Sequence, residues 1–159
     1  MNKIYLFTLL FGIVPIFELR GAIPFAFFNG IPLSLAIILG IGSNLLVYPI
    51  CIFFLNHFNS FLCKHIKKYN SFYLKMKEKA IKRINKKILK FGYLGLMIFV
   101  GIPLPITGAW TATLGSWILN LDQKKSLLFI SLGVLMSGAI IGTILFMGIG
   151  FNSVFIKQI

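Results

Sequence analysis

Carboxylates are scarce in this chain. Glu18, Glu78 and Asp122 are its 3 acidic residues, set against 16 Lys and Arg in a chain of 159 with a net charge of +13. The three lie far apart in sequence, so no paired carboxylates are offered for acid–base work, and neither an H-E-x-x-H helix nor a Walker loop is present. No enzyme is read here and no cofactor is implied. Cysteine is scarce too. Cys51 and Cys63 are spaced too widely for a C-x-x-C pair, and His57 and His65 have no acid near them in sequence, so neither a disulfide framework nor a metal site is expected. Charge of any sign is thin, at 12% of residues, where a soluble domain carries about 25%. That excludes a water-soluble globule.

Apolar residues fill the space. They make up 58% of the chain, with 17 Phe and a mean hydropathy of +0.92, the composition of a polytopic membrane protein. Lys3 followed by an apolar run resembles the start of a signal peptide, but no small-x-small site precedes Glu18, and the segment reads as retained. The positive charge is concentrated: eleven of the basic residues fall between Lys64 and Lys90. Bounded by apolar runs, that block reads as a cytoplasmic loop of a multi-pass protein of the cell membrane. Inside it Phe72, Tyr73, Met76, Ala80, Ile84 and Ile88 recur at helical spacing with Lys on the other face. This is the pattern of a basic amphipathic helix lying on anionic lipid head groups, and nucleic acid is not expected as a partner.

Two apolar runs are clean. Ser34–Leu55 and Ser126–Gly150 are each long enough to span a bilayer, and Gly138 and Gly142 form a small-xxx-small face for close helix packing. The other two are broken: residues 4–28 by Pro15, Glu18, Arg20, Gly21 and Pro24, and residues 92–119 by Gly101, Pro103, Pro105, Thr107 and Gly108. A central Arg costs about 2.5–3.5 kcal/mol on the insertion scale and a central Glu a comparable amount, so Glu18 and Arg20 together cancel what about a dozen apolar residues return. Positive charges balance equally whether the broken runs cross or turn back; the energetics favour turning back. Broken segments at matching places in two halves point to a transporter-type binding site. The expected fold is an all-α integral membrane protein of two inverted repeats, each a re-entrant broken-helix hairpin plus a transmembrane helix. Residues 1–58 form the first repeat, 59–90 the basic connector and 91–159 the second repeat. Gly21-Ala22 is matched with Gly108-Ala109. A homo-oligomer is compatible with this arrangement.

The candidate site is the meeting of the two breaks: Glu18, Arg20, Gly21 and Pro24 on one side, Pro103, Pro105, Thr107, Gly108, Trp110 and Thr111 on the other, with Asn44 from the first span. Between Pro15 and Gly21 the chain is expected to be unwound, letting Glu18 and Arg20 project together. Three readings stay open: a structural ion pair, a proton-coupled site at Glu18, and an anion site in which Arg20 grips a phosphate beside a helix beginning after Gly21. Asn44 serves either as an interhelical hydrogen bond or in the site. Thr107 and Thr111 serve either the substrate or the backbone groups that the prolines free, and Trp110 and Trp117 serve otherwise as interfacial anchors.

E-L-R-G-A-I-P (Glu18 to Pro24), G-S-N with Y-P (Gly42 to Asn44, Tyr48-Pro49) and I-P-L-P-I-T-G-A-W-T (Ile102 to Thr111) resemble the small multidrug export family, over nearly the whole chain. Ile106 stands where that family's second motif usually has Gly. The family is in turn similar, more distantly, to the DedA superfamily, whose members have two opposed re-entrant hairpins. The resemblance implies a small-molecule exporter; a DedA-like translocator of a phosphate-bearing lipid and a non-transporting membrane scaffold are the alternatives.

The basic connector yields a direct test. Spin-label accessibility along Phe72 to Ile88 should oscillate with a period of about 3.6 residues, and a flat profile would remove the amphipathic helix.

Overall fold

The computed structural model describes residues 2–65, 88–104 and 107–156. Most of the basic connector, with its expected lipid-facing stripe, lies outside the described residues, as does Pro105. Among the described residues the chain forms seven helices and no strand: α1 (Asn2–Ile13), α2 (Glu18–Phe28), α3 (Leu33–Leu45), α4 (Val47–His65), α5 (Ile88–Gly101), α6 (Ala109–Ile118) and α7 (Gln123–Ile156).

Prolines and glycines set the boundaries. Pro15 disfavours helix at Val14 and stops α1. Pro103 does the same after α5. Pro24 stands inside α2 and gives up the bond to the Arg20 carbonyl. Pro49 gives up the one to Leu45, and the long apolar helix is interrupted there, at Leu46, between α3 and α4. Despite that interruption Leu33–Phe58 reads as one apolar stretch of 26 residues, and Gln123–Gly148 as another. Both are long and apolar enough to cross a membrane. Gly92, at φ +51° and ψ −137°, breaks α5 near its start, in a conformation that L side chains avoid.

α1 and α2 double back on one another. The rings of Phe11 and Phe25 lie 4.7 Å apart, edge to face; one straight helix would hold those residues about 21 Å apart. α5 and α6 double back as well. The Asp122 N–H donates to the Tyr93 hydroxyl at 3.2 Å, across a stretch that a continuous helix would extend to about 43 Å.

The same turn follows each doubled pair. Ile31 N–H donates to Ala26 O at 3.1 Å and Gly30 N–H to Phe27 O at 3.1 Å, closing α2 with Gly30 at φ +87°. Ninety residues on, Leu121 N–H donates to Ser116 O at 3.0 Å and Asn120 N–H to Trp117 O at 3.1 Å, with Asn120 at φ +51°. Each is the left-handed C-terminal cap for which Gly or Asn is suited. This register shifts the sequence match by three residues: Glu18, and not Gly21, stands opposite Gly108.

α3 and α7 run antiparallel in close contact. A Cβ on Gly138 would meet Ile41 and one on Gly142 would meet Ile37, which is the expected use of the small-xxx-small face. Around this seam the core is built from small residues, Ala22, Ala26, Ala36, Ala109 and Ala112, with Ile23, Val47, Ile130 and Val134. Large apolar side chains face outward instead, among them Phe28, Ile38, Phe53, Phe54 and Phe146. A surface of this extent needs an apolar surrounding, which a bilayer supplies.

Close packing on glycine separates two substitutions of the same kind. A Cβ on Gly133 would come within 2.7 Å of the Met97 carbonyl and of Val100 Cβ, whereas one on Gly42 meets nothing within 4 Å. Gly133→Ala should cost about 1–3 kcal/mol through overpacking, while Gly42→Ala should be neutral or stabilising by up to about 1 kcal/mol. Thermal unfolding of the two variants in detergent micelles checks the contrast.

Candidate functional site

The two breaks face each other, and each is completed by groups from the other. Breaking a helix exposes carbonyls at one end and N–H groups at the next, and in a water-poor setting each must find a partner. At the end of α1, the Gly12 carbonyl accepts from Asn44 Nδ2 at 2.8 Å, and the Ile13 carbonyl accepts from the indole Nε1 of Trp110 at 2.6 Å. Arg20 lies ninety residues before Trp110 and makes the reciprocal bond: its Nη1 donates to the Leu104 carbonyl in the second break, and its Nη2 to Ile16 O at 3.0 Å in the first. The Thr107 hydroxyl lies 2.9 Å from Ile102 O and 3.0 Å from Leu104 O, and accepts from Leu104 N–H at 3.2 Å.

Glu18 supplies the N-terminus of α6. Its carboxylate accepts from Trp110 N–H at 3.3 Å and faces the N–H of Ala109. An anion at a helix N-terminus meets unpaired donors and the positive end of the dipole. The side chain is 6% exposed, and a Cβ on Gly108 would overlap it. Glycine at 108 is therefore what lets the carboxylate reach the helix end. Thr111 Oγ1 accepts from Gly108 N–H at 3.2 Å, meeting a further donor of that turn.

Glu18 and Arg20 do not pair with each other within 4.0 Å. The expectation of an unwound segment reaching to Gly21 is corrected here. α2 already begins at Glu18, with Glu18 N–H on Val14 O and Gly21 N–H on Phe17 O. Glu18 has φ +47°, outside the right-handed helical region, and its carboxylate turns to α6 while Arg20 turns to the carbonyls of both breaks. No helix begins after Gly21, and the anion site drawn there loses its N–H donors. The helix N-terminus at the second break, that of α6, is filled by Glu18.

An open cavity of about 500 Å³ lies between the breaks, lined by Pro15, Ile16, Glu18, Arg20, Thr107, Gly108, Trp110 and Thr111. Six of the eleven residues singled out by sequence thus share one cavity. Gly21 packs on the Phe17 side chain, Pro24 lies further along α2, and Pro103 stands in the second break outside the lining. Asn44, 1% exposed, is spent on the Gly12 carbonyl, the interhelical bond that was one of its two readings. The indole Nε1 of Trp110 points inward to Ile13 O, and that of Trp117 donates to Asn56 Oδ1 at 2.8 Å. Sequence reasoning missed Pro15 and Ile16 as lining and the carbonyls of Gly12, Ile13 and Leu104 as partners. Counting the acceptors freed just before each proline would have pointed to them. Among the described residues no group of three metal-ligating side chains occurs.

The Glu18–Gly108 contact predicts non-additivity. Glu18→Ala should cost about 1–3 kcal/mol by leaving the α6 donors unmet, and Gly108→Ala about 1–3 kcal/mol by overpacking. The double variant should cost clearly less than the sum, because removing the carboxylate makes room for the methyl group. Unfolding of all four proteins in one detergent measures the coupling, and strict additivity would mean the two residues do not touch.

Comparison with known proteins adds one match. The family described as putative small multi-drug export protein matches residues 18–140, a stretch that opens on Glu18 just after the first break, contains the second break and runs into α7. No curated protein and no solved structure matches the chain. With more than three quarters of its length matched, carrying all three of the motifs quoted above, the chain belongs to the small multi-drug export protein family.

Proposed function

We propose that this protein is a membrane exporter of small molecules whose transport site is the cavity between the two breaks, with Glu18 as its coupling group. The observation that carries this reading is the placement of the carboxylate. Glu18 is buried, bordered by the cavity, and held across the gap by donors of the opposite half. When the halves part, the carboxylate loses the α6 N–H groups and must take up a proton or a cation instead. A proton and a cationic substrate then compete for one site, which is the simplest route to exchange of one for the other. Arg20 bonds two neutral carbonyls, one in each break.

Geometry supports mid-depth for the site. Helices of ten to twelve residues, as α1, α2 and α6 are, extend about 15–18 Å, half of a hydrocarbon core of about 30 Å. Asn44 bonds the end of α1 eleven residues into α3, again about 17 Å from its start. In this reading each doubled pair is a re-entrant hairpin, the hairpins enter from opposite faces, and the two halves form an inverted repeat. The basic connector lies on the cytoplasmic leaflet, and Asp122 lies on the connector's side. With Cys51 and Cys63 replaced, cysteines at 77 and 122 should label from one face and those at 29 and 158 from the other. Labelling of 122 together with 29 overturns the inverted repeat.

A second reading has its own observation. Arg20 makes no ion pair with any acid among the described residues and borders the cavity, so a phosphate-bearing lipid could take it bidentately. Proteoliposomes separate the two. Under an imposed pH gradient the wild type should move an amphipathic cationic dye, and Glu18→Gln should lose the dependence on the gradient. A Glu18→Gln protein with unchanged pH-driven dye transport would overturn the coupling role. Translocation of a short-chain fluorescent phospholipid that Arg20→Gln abolishes, without dye transport, would decide for the lipid.

A further inference from the structure

α6 has a cavity at each end. The cavity at its N-terminal end is the one between the breaks; at the other end, about 10 Å along the helix, α6 meets α4 and the start of α7 around a cleft of about 300 Å³. Its walls include Tyr48, Asn56, Ser116, Trp117, Asn120 and Gln123. Among the described residues, none of those lining the cleft carries a charge.

The hydrogen-bonding groups there are partly committed, and what is left over defines a ligand. Asn56 Oδ1 accepts from Trp117 Nε1, and its Nδ2 carries two further donor protons. Tyr48 donates to Gln123 O at 2.9 Å and Ser116 to Thr113 O at 2.8 Å, so each hydroxyl retains lone pairs. The carboxamides of Asn120 and Gln123 offer both a donor and an acceptor. Behind them Ser126 Oγ is fully buried with no hydrogen-bond partner, and it borders the Tyr48 hydroxyl. The Tyr48 proton therefore has a second acceptor, and a ligand can take Gln123 O without leaving Tyr48 unsatisfied.

We infer that this cleft is a second binding site, distinct from the cavity at Glu18, for an uncharged molecule rich in groups that both donate and accept, such as a glycosyl head on a short apolar tail. A charged ligand would leave water for a cleft whose described lining offers no counter-charge of its own, which is costly. A polyhydroxyl head matches the mixed donors and acceptors, and the Trp117 indole with Ile52 and Leu121 gives an apolar wall for its ring face and tail.

The two tryptophans make the site readable, since Trp110 borders one cavity and Trp117 the other. The full-length Trp110→Phe protein in lipid nanodiscs retains Trp117 as its sole indole. Titration with hexyl glucoside should change its fluorescence saturably, and hexylammonium and hexyl phosphate should not. Asn120→Gly, which keeps the positive φ while removing the carboxamide, and Gln123→Ala should each weaken binding about fivefold, the worth of one hydrogen bond. Calorimetric titration of the wild type with the same three probes keeps the test decisive if Trp110→Phe does not fold. Equal responses to all three probes, or variants that bind hexyl glucoside as tightly as the parent, would overturn the proposal. The readout is binding, so failure of the exporter reading leaves it standing.

Discussion

The structure depends on one requirement: a broken helix surrounded by apolar matter must have every exposed backbone group met. This protein breaks two apolar segments and supplies the missing partners across the gap. The indole of Trp110 reaches Ile13 O, the guanidinium of Arg20 reaches Leu104 O, and the carboxylate of Glu18 reaches Trp110 N–H. Either half alone would leave carbonyls or N–H groups unmet, each costing on the order of 1–3 kcal/mol. The breaks are stable because they are opposed, and the cavity between them exists because the bonds that hold them run around its rim.

The charges follow from the same requirement. A buried carboxylate and a guanidinium two residues apart invite pairing, yet a buried ion pair returns little net stability. Backbone dipoles serve each charge here and are themselves served in return. Such an arrangement makes the hydrogen bonds of Glu18 depend on the opposite half, since the donors it uses belong there. A direct ion pair with Arg20, made within one helix, would have carried no information about the other half.

Much of this was legible in the sequence, and what was not has a physical reason. The two clean spans and the seam at Gly138 and Gly142 could be read because side-chain volume and hydropathy are written in the residue types. Glu18, Arg20, Thr107, Gly108, Trp110 and Thr111 could be gathered because charges and helix breakers stand out in an apolar run. The carbonyls of Gly12, Ile13 and Leu104 could not, because a backbone acceptor has no letter of its own. The start of α2 was misjudged for a related reason. Pro15 announces a stop, but only the hydrogen bonds from Glu18 and Gly21 back to Val14 and Phe17 decide where the chain resumes. The ninety-residue register was hidden because the matching caps are built on Gly30 in one half and Asn120 in the other, two residues alike in tolerating positive φ and in little else.

The bond from Trp110 N–H to Glu18 also has a consequence in time. It joins residues 92 apart, so the ribosome delivers the acid long before the helix end that receives it. Until α6 has been made and packed, Glu18 lacks the N–H donors that meet its charge. The first half of the chain can therefore enter the bilayer early but cannot settle early, and its final docking waits on the second.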